Sequence, residues 1–252
     1  MYQAASVASS PFESANDAPQ LSVVMPAYNE EDNMAGAIDD VLRHVFSVVP
    51  RSEFIVVDDG SRDETARIAS SLGAADPRIR LLSQPNAGHG PALVNGIRSA
   101  RGTFCLLLDS DRQIDLQDFA QTWRLGETHD AVIGVRQHRH DPTHRLILTR
   151  GLRTALRTLF RVRAADANAP YKLIRREVAL AALASMPPAP HIPSVLLTVY
   201  LARREHRVAE QPVTHFARTA GQPSLRLRRL AVFCRGAFSE LMRFHRALSQ
   251  RT

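Results

Sequence analysis

The chain has 252 residues, 44% hydrophobic and 23% charged, which suits one globular domain with a small appendage and excludes two large domains. Its two cysteines, Cys105 and Cys234, lie in apolar runs, and no window approaches about 18 consecutive apolar residues, so neither a disulfide-stapled scaffold nor a membrane-spanning helix is expected. The net charge of +7 is concentrated in residues 213–252, where eight arginines accompany one acidic residue, Glu240.

Residues 1–19 combine Ala, Ser and Pro with no basic start and no long apolar stretch, and read as a disordered lead-in rather than a secretory signal. Residues 21–25 (LSVVM) then read as a buried strand and 31–46 as a helix. A strand at 54–57 (FIVV) is followed by a helix at 65–72, and a strand at 79–82 by a helix at 91–100 with Pro91 in its first turn. Residues 103–108 form a fourth strand. Strands alternating with helices imply a mostly parallel sheet, and continuous rather than alternating apolar runs imply helices on both of its faces. Beyond residue 115 the expected elements are a helix at 116–125, a strand at 131–135, an arginine-rich helix at 145–160, a strand at 171–174 and a helix at 177–185. The proline-rich MPPAPHIP precedes a further helix at 195–204, and residues 221–252 are expected to be helical as well.

Polar residues follow each of the first four strands: Asn29 and Glu30, Asp58 and Asp59, residues 83–86, then Asp109 and Asp111. All therefore fall beyond the carboxyl ends of parallel strands, where open α/β sheets bind ligands. Asp109-Ser110-Asp111 presents two carboxylates able to reach one hard cation, Mg²⁺ or Mn²⁺, which would bridge a diphosphate. Asp58 and Asp59 can accept hydrogen bonds from a nucleobase or ribose, with Gly60 permitting a tight turn. In N-A-G-H-G, following Asn86, Gly88 and Gly90 would let backbone approach a phosphate ahead of a helix.

The ordered series V-V-M-P-A-Y-N-E, V-V-D-D-G-S-R-D, N-A-G-H-G-P-A-L-V-N-G and L-L-D-S-D-R-Q resembles the family-2 glycosyltransferases of the GT-A fold, over about residues 21–220. The resemblance implies a nucleotide pocket at Pro26, Tyr28, Glu30 and Asp58, and metal and diphosphate handling at Asp109 and Asp111. Within the family the chain is most similar to the dolichyl- or polyprenyl-phosphate hexose synthases. That similarity implies Gln113 as a third metal ligand and an acceptor-side motif containing Asp166, Tyr171, Lys172 and Arg176. It also implies an R-x-x-G-x-S element through Arg218, Gly221 and Ser224, with Arg218 contacting the donor phosphates.

Two features bear on the acceptor. No Asp or Glu occurs between Glu177 and Glu205, so the carboxylate base that a hydroxyl acceptor needs is missing, unless His191 replaces it. Arg150, Arg153, Arg157 and Arg161 recur along one helix face and, with Arg136, suit a lipid phosphate or form a solvated face. The reading is an inverting enzyme that moves a hexose from a GDP- or UDP-sugar to a polyprenyl-phosphate-like acceptor. The alternative is a family-2 enzyme with a saccharide or other hydroxyl acceptor, a non-enzymatic nucleic-acid or membrane-binding module is a more distant one, and nucleic acid is not an expected partner. The basic, amphipathic residues 221–252 either meet an anionic membrane surface or cover the sheet as core. The expected location is cytoplasmic, peripheral on the cytoplasmic membrane face in the first case.

Overall fold

In the computed structural model the described residues are 18–137, 143–216 and 227–249, and the described side chains exclude 143–149, 159 and 227–234. The strands are β1 (Leu21–Ala27), β2 (Ser52–Asp58), β3 (Ile79–Ser83), β4 (Phe104–Leu107), β5 (Ala131–Gln137), β6 (Lys172–Arg175) and β7 (Val208–Thr214). They form one sheet in the order β3-β2-β1-β4-β6-β5-β7. All pairings are parallel except those of β6, which runs antiparallel to both β4 and β5.

Alternate residues of the central strands feed two separate cores. Val24, Ile55, Val57, Cys105 and Leu107 point to one face. Leu21, Val23, Met25, Phe54, Val56 and Leu106 point to the other. The first face is covered by α3 (His89–Ser99), α5 (Thr143–Leu159), α6 (Arg176–Leu183), α7 (Pro193–Arg203) and α8 (Leu227–Ser249), the second by α1 (Glu31–His44), α2 (Thr65–Ala75) and α4 (Phe119–Thr128). Period-two strands with both faces occupied explain why the sequence shows unbroken apolar runs.

The helices follow local rules. In α1, Met34, Ala37, Ile38 and Val41 are buried at three- and four-residue spacing, with Glu31 and Asp32 in the first turn and Arg43 and His44 in the last, the signs that suit the helix dipole. In α8, Leu241, Phe244 and Leu248 join the same core as Leu156 and Phe160. The described C-terminal half of this helix therefore packs on the domain. Phe238, in the same half of the helix, is 48% exposed.

Two elements depart from expectation. The strand at 172–175 is reversed relative to its neighbours, and β7 has no counterpart in the sequence reading. β7 buries only Gln211 and Val213 along VAEQPVT, so it carries no apolar run to announce it.

Candidate active site

The chain steps outward from β1 to β2 to β3, then returns to place β4 on the other side of β1. The pairing of β1 with β4 ends at Val24 and Leu107, with one further bond from the Leu108 N–H to the Val24 carbonyl at 3.0 Å. Pro26, which lacks an N–H, lies where β4 has left β1, so no ladder bond is lost there. The gap opened between diverging strands is the usual ligand crevice of such a sheet. Pro26 itself is buried, whereas Tyr28 stands 43% exposed at the lip.

The loops after β1 and β2 are laced together. Asn29, at φ +53°, donates its N–H to Ser61 Oγ at 3.0 Å and accepts the Arg62 N–H at 2.8 Å. The Glu30 N–H meets Thr65 Oγ1 at 2.8 Å, and Glu30 Oε2 accepts from Asn33 Nδ2 at 2.7 Å. Asp58 is buried and accepts the Ser61 N–H at 3.1 Å.

Asp59 ties the end of β2 to the loop after β3. Its buried carboxylate accepts from Gln84 Nε2 at 2.7 Å, the Ala87 N–H at 2.9 Å and the Gly88 N–H at 2.8 Å. Asn86 Nδ2 in turn donates to the Asp59 carbonyl at 2.9 Å. Asp59 and Asn86 thus shape the loop after β3, and the Gly88 amide is turned to Asp59 rather than to a phosphate. Gly60, at φ +71°, belongs to the same unit, since a Cβ there would lie 2.8 Å from the Asn86 nitrogen. Gly90 is small for a different reason than expected. A Cβ would fall 1.7 Å from the Pro190 carbonyl oxygen, so the close approach is by the chain's own backbone.

Asp109 and Asp111 emerge from β4 half-exposed. Asp109 Oδ1 lies 3.9 Å from His89 Nε2, and Asp111 Oδ1 accepts the Gln113 N–H at 3.3 Å. Their loop is held from two sides. Arg112, at φ +55°, sends its guanidinium to Asp40 of α1 at 2.8 Å. Gln113 exchanges backbone and side-chain bonds with Phe216, and Ile114 bridges to His215, tying the loop to the end of β7.

No group of three His, Cys, Asp or Glu residues suited to a metal occurs among the described residues. The oxygens on offer are two adjacent carboxylates and the Gln113 carboxamide, whose nitrogen is engaged by Phe216. Such an incomplete, all-oxygen set suits a hard cation that completes its shell with water and diphosphate oxygens.

On the opposite wall, Arg136 at the end of β5 grips Asp166 through two bonds of 2.7 and 3.1 Å, and both are largely buried. Lys172 opposes Leu107 of β4 and Ile133 of β5. Its buried Nζ donates to the carbonyls of Ala167 and Ala169 and to Ser194 Oγ at 3.3, 2.7 and 2.6 Å. Burial pulls its pKa down to about 7, against the raising fields of Asp166 and Asp109. Tyr171 is also buried, its hydroxyl 2.6 Å from Thr122 Oγ1, and burial raises its pKa. Both residues were expected to touch the acceptor. The structure instead uses them inside the wall, because their neighbours in β6 alternate between two filled cores.

Arg150 is exposed on α5, while Arg153 donates to the Ala165 carbonyl at 2.6 Å. Arg153, Arg157 and Arg163 line an open cavity of about 310 Å³ with Ala165 and Glu210. Arg218, Gly221 and Ser224 lie outside the described residues. Ser194, which Lys172 grips, and Glu240, which binds His191, were not singled out by sequence, since nothing local marks contacts across 22 and 49 positions.

Comparison with known proteins agrees with this architecture. Residues 22–180 match the family described as Glycosyl transferase family 2, and the chain belongs to it. It is 32% identical over 179 residues to a dolichyl-phosphate beta-glucosyltransferase of Dictyostelium discoideum, covering 63% of this chain and 55% of that one. It is 28% identical over 206 residues to an undecaprenyl-phosphate 4-deoxy-4-formamido-L-arabinose transferase of Shewanella sediminis, covering 80% and 60%. The chain thus spans little more than half the length of these relatives. Among solved structures, glucosyl-3-phosphoglycerate synthase from Mycobacterium tuberculosis, in complex with Mn²⁺, UDP and glucosyl-3-phosphoglycerate, superposes with a TM-score of 0.66 at 23% identity, covering 90% of this chain and 80% of that one. The mannosyltransferase PcManGT from Pyrobaculum calidifontis, in complex with GDP-Man and Mn²⁺, gives 0.62 at 19% identity, covering 92% and 68%. The fold is that of the GT-A glycosyltransferases.

Proposed function

We propose that the protein transfers a hexose from a GDP- or UDP-sugar to a polyprenyl phosphate, with inversion at the anomeric carbon. The observation that carries the acceptor is the state of the carboxylates on the acceptor wall. Asp166 is paired with Arg136, and Glu240 is bound by His191. No Asp or Glu lies between residues 177 and 205. A hydroxyl acceptor would need a base to take its proton, whereas a phosphate monoester already presents an anionic oxygen at pH 7. The names of the two relatives quoted above point the same way.

Tyr28, Glu30 and Asp58 would form the nucleoside side of the crevice. Asp109 and Asp111, with the Gln113 carboxamide oxygen, would hold Mg²⁺ or Mn²⁺, whose charge offsets that of the departing nucleoside diphosphate. Arg218, by its resemblance to the R-x-x-G-x-S element, would contact the same phosphates.

Among the described residues no helix is long and apolar enough to cross a membrane. Arg235, Phe238, Arg243 and Arg246 are exposed on α8, while its acidic residue Glu240 is buried. This cationic face with one exposed aromatic supports peripheral binding to an anionic membrane, where a lipid acceptor resides.

The test offers radiolabelled UDP- and GDP-hexoses with Mg²⁺ or Mn²⁺ to polyprenyl phosphate and, separately, to soluble sugars. Label extracted into organic solvent only with the lipid present supports the reading. Label confined to a water-soluble product overturns the acceptor assignment.

A further inference from the structure

The cavity between the end of α5 and the edge strand β7 has no part in the reaction proposed above. It measures about 310 Å³ and is lined by Arg153, Arg157, Val162, Arg163, Ala165 and Glu210. That volume is at the lower end of the range for small-molecule sites. Glu210 pairs with Ile133 in the middle of β7, and β7 is three strands away from β4, roughly 14 Å at the usual strand spacing. The Glu210 wall of the cavity thus stands well away from β4, whose end carries Asp109 and Asp111.

The chain builds this cavity with local devices. α5 ends at Leu159, and Arg161, at φ +56°, turns the backbone so that the Val162 N–H returns to the Leu156 carbonyl at 3.0 Å. A non-glycine residue takes that conformation at a cost, and here it folds Arg163 back beside the last turns of the helix, over the buried Val162. Arg153 donates to the Ala165 carbonyl at 2.6 Å, and Glu210 accepts the Ala165 N–H at 2.9 Å, so both walls are pinned to one residue.

Charge is left over. Arg153 and Arg157 are about one helical turn apart, and the turn brings Arg163 to them. Among the described residues no carboxylate pairs with any of the three guanidiniums, and those of Arg157 and Arg163 have no hydrogen-bond acceptor. The lining therefore carries three positive charges against the single negative one of Glu210. Like charges gathered round a concavity repel, and an anion that enters offsets the repulsion. Guanidiniums donate in a planar fork that fits phosphate oxygens, and the excess charge matches a phosphate monoester, about −1.5 to −2 at pH 7.

We propose that this cavity binds a phosphate monoester through Arg153, Arg157 and Arg163, separately from the crevice at Asp109 and independently of divalent cation and nucleotide-sugar. The group reaches it either free in solution or on a lipid headgroup, and the experiment separates the two. Binding is measured with EDTA present and no nucleotide-sugar, so the outcome does not depend on transfer activity. Calorimetry follows inorganic phosphate and glycerol 3-phosphate; sedimentation follows phosphatidylcholine vesicles with and without phosphatidate.

The wild-type chain is compared with the pair Arg157→Gln and Arg163→Gln, with Glu210→Gln, and with the pair Arg98→Gln and Arg124→Gln, an equal charge change at exposed arginines of α3 and α4. The first pair removes guanidiniums that hold nothing among the described residues, so the melting temperature should stay as in the wild type. Binding should weaken about 25-fold in it, roughly fivefold per arginine, and by less than about twofold in the α3 and α4 pair. Glu210→Gln keeps an acceptor for the Ala165 N–H and removes the negative charge, so binding should tighten. This pattern with the free phosphates assigns the cavity to a soluble ligand, and with phosphatidate vesicles alone to a lipid headgroup. Absence of binding to every probe, equal losses in the two paired variants, or no tightening in Glu210→Gln overturns the proposal.

Discussion

The guanidinium of Arg112 lies against Gly36 of α1, where an added Cβ would fall 2.3 Å from its Nη1. This contact lets Arg112 reach Asp40 and so holds the Asp109–Asp111 loop down on the first helix.

Gly36→Ala should therefore separate stability from metal use. The displaced group is the end of a flexible side chain, and alanine favours the helix by up to about 1 kcal/mol, so the melting temperature should hold or rise. The loop loses one of its two anchors, and the divalent-cation concentration for half-maximal transfer should increase by about tenfold. Metal titration of activity beside a thermal melt checks both halves; equal cation demand in the two proteins would show that the Arg112 contact does not support the loop.

Asp111→Ala is expected to lower turnover by about 10²-fold or more, since one of the two carboxylates proposed to hold the cation is lost. The half-exposed side chain makes little difference to folding, so urea unfolding should change by less than about 1 kcal/mol. Transfer that persists in this variant with EDTA present would remove the metal from the mechanism.

Asp59→Ala has the opposite profile. It strands the Gln84 amide and the Ala87 and Gly88 N–H groups beneath the loop after β3, and the unmade bonds should cost about 2–4 kcal/mol in chemical denaturation. If stability is retained and only nucleotide affinity falls, Asp59 faces the ligand after all.

Lys172 predicts a pH dependence of stability. Burial lowers its folded pKa to about 7 from the ordinary lysine value of 10.5, so between these values the unfolded chain binds the extra proton. Stability from this group is then fully present above 10.5 and is lost as pH falls toward 7, with a slope of up to about 1.4 kcal/mol per pH unit. Urea midpoints between pH 7 and 9.5 should rise more steeply in the wild type than in Lys172→Met. Parallel curves would show that the ammonium stays charged, held by its three oxygen acceptors.

The parallel half of the sheet could be read from sequence because its strands are buried on both faces and each ends in polar residues at the same edge. The positions of Asp58, Asp109 and Asp111 at the carboxyl ends of β2 and β4 were legible on that basis, their roles being a proposal. Tyr171 and Lys172 were misplaced because an apolar strand containing a polar residue does not disclose which way that residue points; here the Ala167 and Ala169 carbonyls draw Lys172 inward. Asp59 and Gly90 were misread for a related reason. Their partners, the loop after β3 and Pro190, are distant in sequence, and a glycine that admits a phosphate looks like one that admits a carbonyl. β7 escaped notice because its Pro212 and polar outward face obscure the strand pattern.

The family's recognisable segment ends at residue 180, yet Leu241, Phe244 and Leu248 fill the same core as Leu156 and Phe160. The segment that the family delimits and the packed core are thus different lengths of chain. A fragment cut after residue 226 would keep every aspartate of the crevice but would bare the apolar floor beneath α5. Such a fragment should be recovered as an aggregate rather than as a smaller transferase.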